Sequence, residues 1–152
     1  MHGLRFLLLP ALLPVICAAE EKCPWLNAAT AAGVLGGAVK AIVTETACEF
    51  VHRDGSSESK LRIQVETIAA TTEFASRVAQ CGSGAVPLKA IGNEAVACSY
   101  AEKKGQMAEQ VVGRVRNQAF LVRVSTSDHS ATSAGLRDKA RKVAEQIAGF
   151  LF

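Results

Sequence analysis

The alternation of apolar and polar positions is clearest between Ile91 and Ser127, IGNEAVACSYAEKKGQMAEQVVGRVRNQAFLVRVSTS. Three apolar runs are separated by two compact turn signals, EKKG and RNQ, the pattern of an antiparallel meander. With Asn117-Gln118 taken as a two-residue loop, Val115 faces Phe120, Gly113 faces Val122 and Val111 faces Val124. This register assigns Val111, Val115, Phe120, Val122 and Val124 to a buried face, and Arg114, Arg116 and Arg123 to the other. The preceding turn, around Lys104-Gly105, places Cys98 across from Val111, on the buried side.

Upstream, Leu61, Ile63 and Val65 alternate with Arg62, Gln64 and Glu66 in a strand with one wet face. Val39 to Thr46 carries β-branched residues and reads as a strand, Cys48 to His52 reads as another, and a turn follows at Asp54-Gly55-Ser56-Ser57. The period changes to helical in three places. Asn27 caps Ala28 to Leu35, which Gly36-Gly37 ends. Thr71 or Thr72 caps a helix to Cys81, with Phe74, Val78 and Cys81 on one stripe and Gly82-Ser83-Gly84 as its stop. The last helix covers Ala131 to Phe152, with Leu136, Ala140, Val143 and Ile147 on its apolar stripe. Asp138–Lys142 and Arg141–Glu145 pair on its solvated side. Pro87 to Glu94 reads as a loop in which Gly92-Asn93 needs a left-handed backbone. The sum is an α+β fold: an antiparallel sheet of about five to six strands, with an N-terminal helix, a middle helix and a long C-terminal helix packed on it.

Length and charge narrow the class. The chain has 152 residues, enough for one domain with a real core. Its formal net charge is only +3 and forms no basic stripe, which excludes a nucleic-acid partner as an expectation. The first residues read as a targeting segment. Arg5 supplies the positive region, and Phe6 to Ile16 is apolar but broken by Pro10 and Pro14. That run is shorter than the roughly 20 residues of a spanning helix. Cys17, Ala18 and Ala19 then supply the small residues of a cleavage site. Residues 1–19 are therefore expected to be a signal peptide and 20–152 a single exported domain, periplasmic or secreted, with no transmembrane segment. Lipidation at Cys17 is disfavoured, because Ile16 stands where a small residue normally precedes a lipidated cysteine.

Cleavage reduces five cysteines to Cys23, Cys48, Cys81 and Cys98. An even set in an exported chain implies disulfides, with three possible connectivities. Cys23–Cys48 and Cys81–Cys98 are favoured because each links neighbouring elements. Metal binding is not expected: there is no CxxC pair and no His at ligand spacing from a Cys.

The Cys-Pro-Trp-Leu segment, the helix ending Leu35-Gly36-Gly37-Ala38-Val39, the Cys48-Glu49-Phe50 strand and the Ile91-Gly92-Asn93-Glu94-Ala95 turn carry a resemblance. Together they resemble the actinobacterial exported lipoproteins of unknown function and the extracellular sensor domain of PknH-type kinases, with a PsbP-like fold. The resemblance implies an extracytoplasmic binding or sensing role. It does not extend to membrane anchoring, since the lipobox is lacking.

Chemistry is sparse. There is no GxSxG, HExxH, P-loop or GxGxxG. His52 and His129 both sit in or beside polar loops, with no nucleophile or orienting group indicated, so no catalytic residue and no cofactor is assigned. The one suggestive feature is Arg62, Arg114, Arg116 and Arg123 on the non-core side of the sheet, a surface for an anionic ligand or partner. Cross-strand pairing with residues such as Glu66 is the plainer account of the same arginines. The expected function is non-enzymatic: a ligand-binding or sensor-like module for an unknown small ligand, ahead of an envelope structural or protein-interaction module, with an enzyme last. A cleft between the sheet and the terminal helix is where such a ligand is expected. Mass determination of the exported chain is expected to find Glu20 as its first residue; an N-terminus retaining residues 1–19, or an acylated Cys17, would overturn the leader assignment.

Overall fold

The computed structural model describes residues 22–103 and 105–152; the leader assigned to residues 1–19 lies outside them. Three helices and seven strands follow in order: α1 (Ala28–Leu35), β1 (Lys40–Val43), β2 (Ala47–Asp54), β3 (Ser57–Thr67), α2 (Thr71–Ala79), β4 (Val86–Leu88), β5 (Glu94–Tyr100), β6 (Met107–Val115), β7 (Gln118–Thr126) and α3 (Ser133–Leu151). All strands belong to one antiparallel sheet ordered β1-β2-β3-β7-β6-β5-β4. The sheet thus has more strands than the sequence suggests. The added one, β4, overlaps the start of the Pro87–Glu94 stretch that reads as a loop. Pro lacks an N–H and is tolerated on an edge strand, which is where β4 sits.

The two outer helices share one face. Leu35 and Ala31 of α1 and Leu136, Ala140, Val143, Ala144, Ile147 and Ala148 of α3 pack on Phe50, Leu61, Ile63, Val111, Val115, Phe120, Val122 and Val124. The expected core residues of the meander are all buried. Asn27 caps α1 by accepting the Thr30 N–H at 2.8 Å, and Thr132 caps α3 through Gly135. α2 has no side-chain cap, so neither Thr71 nor Thr72 plays that part. This helix crosses the opposite face, where Phe74 and Ile68 cover Val112 and Ala119.

Register is where the structure departs from the sequence reading. The β6–β7 turn is Arg116-Asn117, with Val115 opposite Gln118, Gly113 opposite Phe120 and Val111 opposite Val122. The shift is by two residues, so every side chain keeps its face. Its cause lies outside the hairpin. Asn93 accepts the Arg116 N–H through Oδ1 at 2.6 Å and donates its own N–H to Arg114 O at 2.7 Å. Gly92, at φ 62°, brings this loop so close that a Cβ would overlap Arg114 O. Arg116 takes positive φ (54°), as the first loop position of a primed turn requires. Gly113 is equally constrained: a Cβ there would enter the Phe120 ring.

Cys98 pairs with Gln110, not Val111, and so lies on the α2 face. Both expected disulfides are nonetheless present. Cys23–Cys48 ties the segment before α1 to β2, and Cys81–Cys98 ties the end of α2 to β5. Each closes a loop large enough to contribute about 3 kcal/mol by restricting the unfolded chain.

On the core face two polar side chains are buried among the described residues, Thr126, whose Oγ1 bonds Ser59 Oγ, and Glu109. Glu109 is 1% exposed and accepts from Ser99 Oγ at 2.7 Å, from Ser133 Oγ and from Arg137 Nε at 2.9 Å. Ser133 and Arg137 belong to the first turns of α3, so this carboxylate pins the helix to β6. Burial pushes its pKa up, but the bonds from Ser133, Ser99 and Arg137 together outweigh burial and hold it below the ordinary value. A depressed carboxylate pKa stabilises the fold above the unfolded-state value, and this contribution is lost as pH falls through the folded value. Glu109→Gln is expected to cost on the order of 1–3 kcal/mol at neutral pH. In urea unfolding the gap to the parent should narrow as pH is lowered through the acidic carboxylate range; a gap constant with pH would show that the charge does not matter.

Candidate functional site

The expected cleft between the sheet and α3 does not exist as open space, because that interface is the closed core. The open surface lies on the other face. α2 covers only Val96, Val112, Ala119 and Leu121 there, leaving the part built from β2, β3, β7 and the end of β6 uncovered. On that part a basin of about 470 Å³ is lined by Glu49, Glu58, Lys60, Arg62, Arg123 and Ser125, with Glu102, Lys103 and Gln106 of the β5–β6 loop along one side.

Strand pairing assembles the floor. Glu49, Arg62, Arg123 and Gln110 are successive cross-strand partners on β2, β3, β7 and β6. Arg62 and Arg123 are therefore directly opposite one another. Like charges in that position repel and destabilise a sheet pair. Their neighbours only partly compensate. Glu49 approaches Arg62 Nη1 at 4.0 Å, the outer limit of an ion pair. Glu58 is engaged with Arg53 at 2.8 Å and Lys60 at 3.0 Å, which hold its pKa below the usual value.

Arg123 is held by neutral groups. Its Nε and Nη2 both donate to Gln110 Oε1, at 3.2 and 2.9 Å. The Tyr100 ring lies over its Cζ at 3.3 Å, a cation–π stack. Burial lowers its pKa, while Tyr100 and Glu102 favour the charged form; it remains a guanidinium at any physiological pH. Among the described residues Arg123 has no carboxylate within ion-pair distance.

The four arginines of the sequence reading are thus divided. Arg62 and Arg123 meet in the basin. Arg114 shares their face but lies beyond α2, bonded to Glu94 at 2.8 Å and to Arg116 O at 2.9 Å. Arg116 is not on the sheet face at all; it is an exposed turn residue, because the true loop is Arg116-Asn117. Glu66 pairs with Arg77 of α2 and with Gln64, not with the sheet arginines. Cross-strand Arg–Glu pairing therefore accounts for Arg114 but not for Arg123.

Tyr100, Gln110 and Glu102 were missed. A signal existed for Gln110: Glu109-Gln110 is a polar pair inside an apolar strand, and buried polar groups need partners. Nothing local in the sequence indicates that Tyr100 reaches Arg123. The histidines serve the scaffold or the surface. His52 Nδ1 lies 2.9 Å from Ala38 O, and among the described residues neither His52 nor His129 is bonded to a serine or carboxylate. Among these residues, too, no group of three His, Cys, Asp or Glu side chains gathers at metal-binding distance, and no helix is long and apolar enough to cross a membrane.

Two other hollows are less suited to recognition. A groove of about 430 Å³ beside α2 contains the Glu66–Arg77 pair, already satisfied internally. A pocket of about 340 Å³ at Cys23, Leu26, Val39, Ala41 and Phe50 is mainly apolar, with Lys22 also in its lining and Asn27 already committed as a cap. Comparison with family models, curated proteins and solved structures finds no match. Because Arg62 faces a like charge, Arg62→Gln is expected to leave the free protein as stable as the parent or up to about 1 kcal/mol more stable. Urea unfolding at low ionic strength checks this; a loss above that size would mean that Arg62 serves the fold.

Proposed function

We propose that this chain is an exported, non-catalytic ligand-binding or sensor-like module whose site is the basin on the uncovered half of the sheet. One observation carries the reading: two arginines stand in direct cross-strand register inside a cavity of small-molecule size, without a full complement of carboxylates. A fold gains no stability from that arrangement, and a bound ligand gives it a purpose. The two disulfides fit an oxidising compartment outside the cytoplasm. The resemblance to exported lipoproteins and PknH-type sensor domains points the same way.

An envelope interaction module is the second reading. It is favoured by the open β1 edge, where Ile42 is 52% exposed. Both sheet edges are blunted, however: β1 has four residues and carries Lys40, and β4 has three with Pro87 at its centre. Short edges bearing Lys or Pro discourage strand addition.

Thermal unfolding of the full chain in the presence of small organic anions, neutral sugars and short peptides tests the first reading. A ligand at about 100 times its Kd adds roughly 2.7 kcal/mol, several degrees in Tm for a domain of this size. At least one class is expected to give that shift, and the folded Arg62→Glu/Arg123→Glu double variant is expected to lose it. If no class shifts Tm, or the variant retains the shift, the basin is not the ligand site.

A further inference from the structure

We propose that the basin is an oxyanion site, in which the Nη1–Nη2 end of Arg123 takes a carboxylate or phosphate group in a two-bond fork and Arg62 supplies the second cation. The proposal rests on the binding-module reading and adds the chemistry of the ligand to it.

The argument starts from the five N–H donors of a guanidinium. The side edge of Arg123, Nε with Nη2, is used by Gln110 Oε1. Tyr100 occupies a face of the guanidinium plane. These contacts fix both the plane and the rotation of the group without neutralising it. Among the described residues no carboxylate pairs with the Nη1–Nη2 end, and Gln110 Oε1 engages only its Nη2 side. Donors in a partly buried position are costly to leave unmatched, and this end has the spacing of two oxygens of one carboxylate or phosphate. Pre-orientation of the fork lowers the cost of binding, since little rotamer freedom remains to be lost.

Gln110 is itself positioned. Its Nε2 points toward the Cys81–Cys98 disulfide, 3.4 Å from Cys98 Sγ and 3.9 Å from Cys81 Sγ. With the amide nitrogen against sulfur, its oxygen is directed at Arg123. The disulfide, Gln110 and Arg123 thus form one chain of contacts running from α2 to the basin floor.

The second cation follows from register. Arg62 stands opposite Arg123, and the 4.0 Å approach of Glu49 leaves it largely unneutralised. An anion between the two guanidiniums removes their repulsion, so ligand charge is favoured twice. Glu102, on the adjoining loop, lines the basin and favours the charged state of Arg123 and Lys60, yet among the described residues it forms no ion pair within 4 Å. It acts as an internal competitor for the incoming anion. The aromatic ring in the site is already stacked on Arg123, so recognition falls on the oxyanion and not on a flat base.

Calorimetric titration of the full chain with inorganic phosphate and with succinate tests this. Parallel flotation with phosphatidylglycerol and phosphatidylcholine vesicles separates a free anion from a lipid headgroup. Saturable binding of phosphate or succinate that weakens with salt is expected, or selective capture by phosphatidylglycerol vesicles if the headgroup is the source. Arg123→Lys keeps the charge but loses the fork, and should weaken binding about tenfold or more. Arg116→Lys, in the remote turn, should change nothing. Glu102→Gln, at the rim where folding is not at stake, should tighten binding. Absence of binding by every oxyanion probe at millimolar concentration overturns the proposal, as does an Arg123→Lys or Glu102→Gln variant that binds like the parent. Binding of a neutral solute alone in the basin would keep the module reading and remove this one.

Discussion

The pairing of β3 with β7 is the interaction on which the rest of this domain depends. It runs from Ser59–Thr126 to Thr67–Gln118 and joins strands that are far apart in the chain. On one side of it lies the β1-β2-β3 meander, on the other the β4-β5-β6-β7 meander. Without it neither half has a complete apolar face: Leu61 and Ile63 must meet Val124 and Val122 before α1 and α3 have a common surface to cover. The same register that closes this core sets Arg62 against Arg123 on the reverse face. Core and candidate site are therefore two sides of one alignment, and a slip of one residue would exchange them.

The two faces are finished differently. The core face is sealed by apolar stripes on two helices and by the Glu109 clamp at the first turns of α3. The reverse face receives only the short α2, which the Cys81–Cys98 link holds at its far end. The area that α2 does not reach is floored by charged side chains that remain hydrated. A sheet half covered in this way offers a concave polar surface on a rigid support, with the β5–β6 loop at its side. Rigidity comes from the strands and adaptability from the loop, which is a common division of labour in binding sites.

The Arg123 environment shows how a cation can be kept in place without being cancelled. Gln110 supplies oxygen and Tyr100 supplies a π face, and neither carries negative charge. Arg114 is the contrast on the same sheet: it is satisfied by Glu94 and by the backbone of its own turn. Both arginines alternate with apolar residues in the sequence and look equivalent there. Their difference lies entirely in which residues the neighbouring strands bring opposite them.

What the sequence determined by itself is the three helices, six of the seven strands and the faces of the Leu61–Val65 and Val111–Val124 residues, though not the face of Cys98. Period-two alternation around Leu61–Val65 and Val111–Val124 can be satisfied in only one way when one side must be dry. The α3 stripe and the Asn27 cap are equally local, whereas the choice of Thr132 among Ser130, Thr132 and Ser133 as the α3 cap was made by the structure. The two disulfide links followed from the order of the elements. Tertiary structure alone decided the rest. Pairing of β6 with β7 shifted by two residues because Asn93, from another segment, binds the backbone of the turn. Pro87 became part of a strand because an edge position asks no N–H of it. Above all, the grouping of Arg62, Arg123, Gln110 and Tyr100 arises from pairing among four strands. Periodicity tells each strand which way its side chains point, but not which residues its neighbours will place beside them.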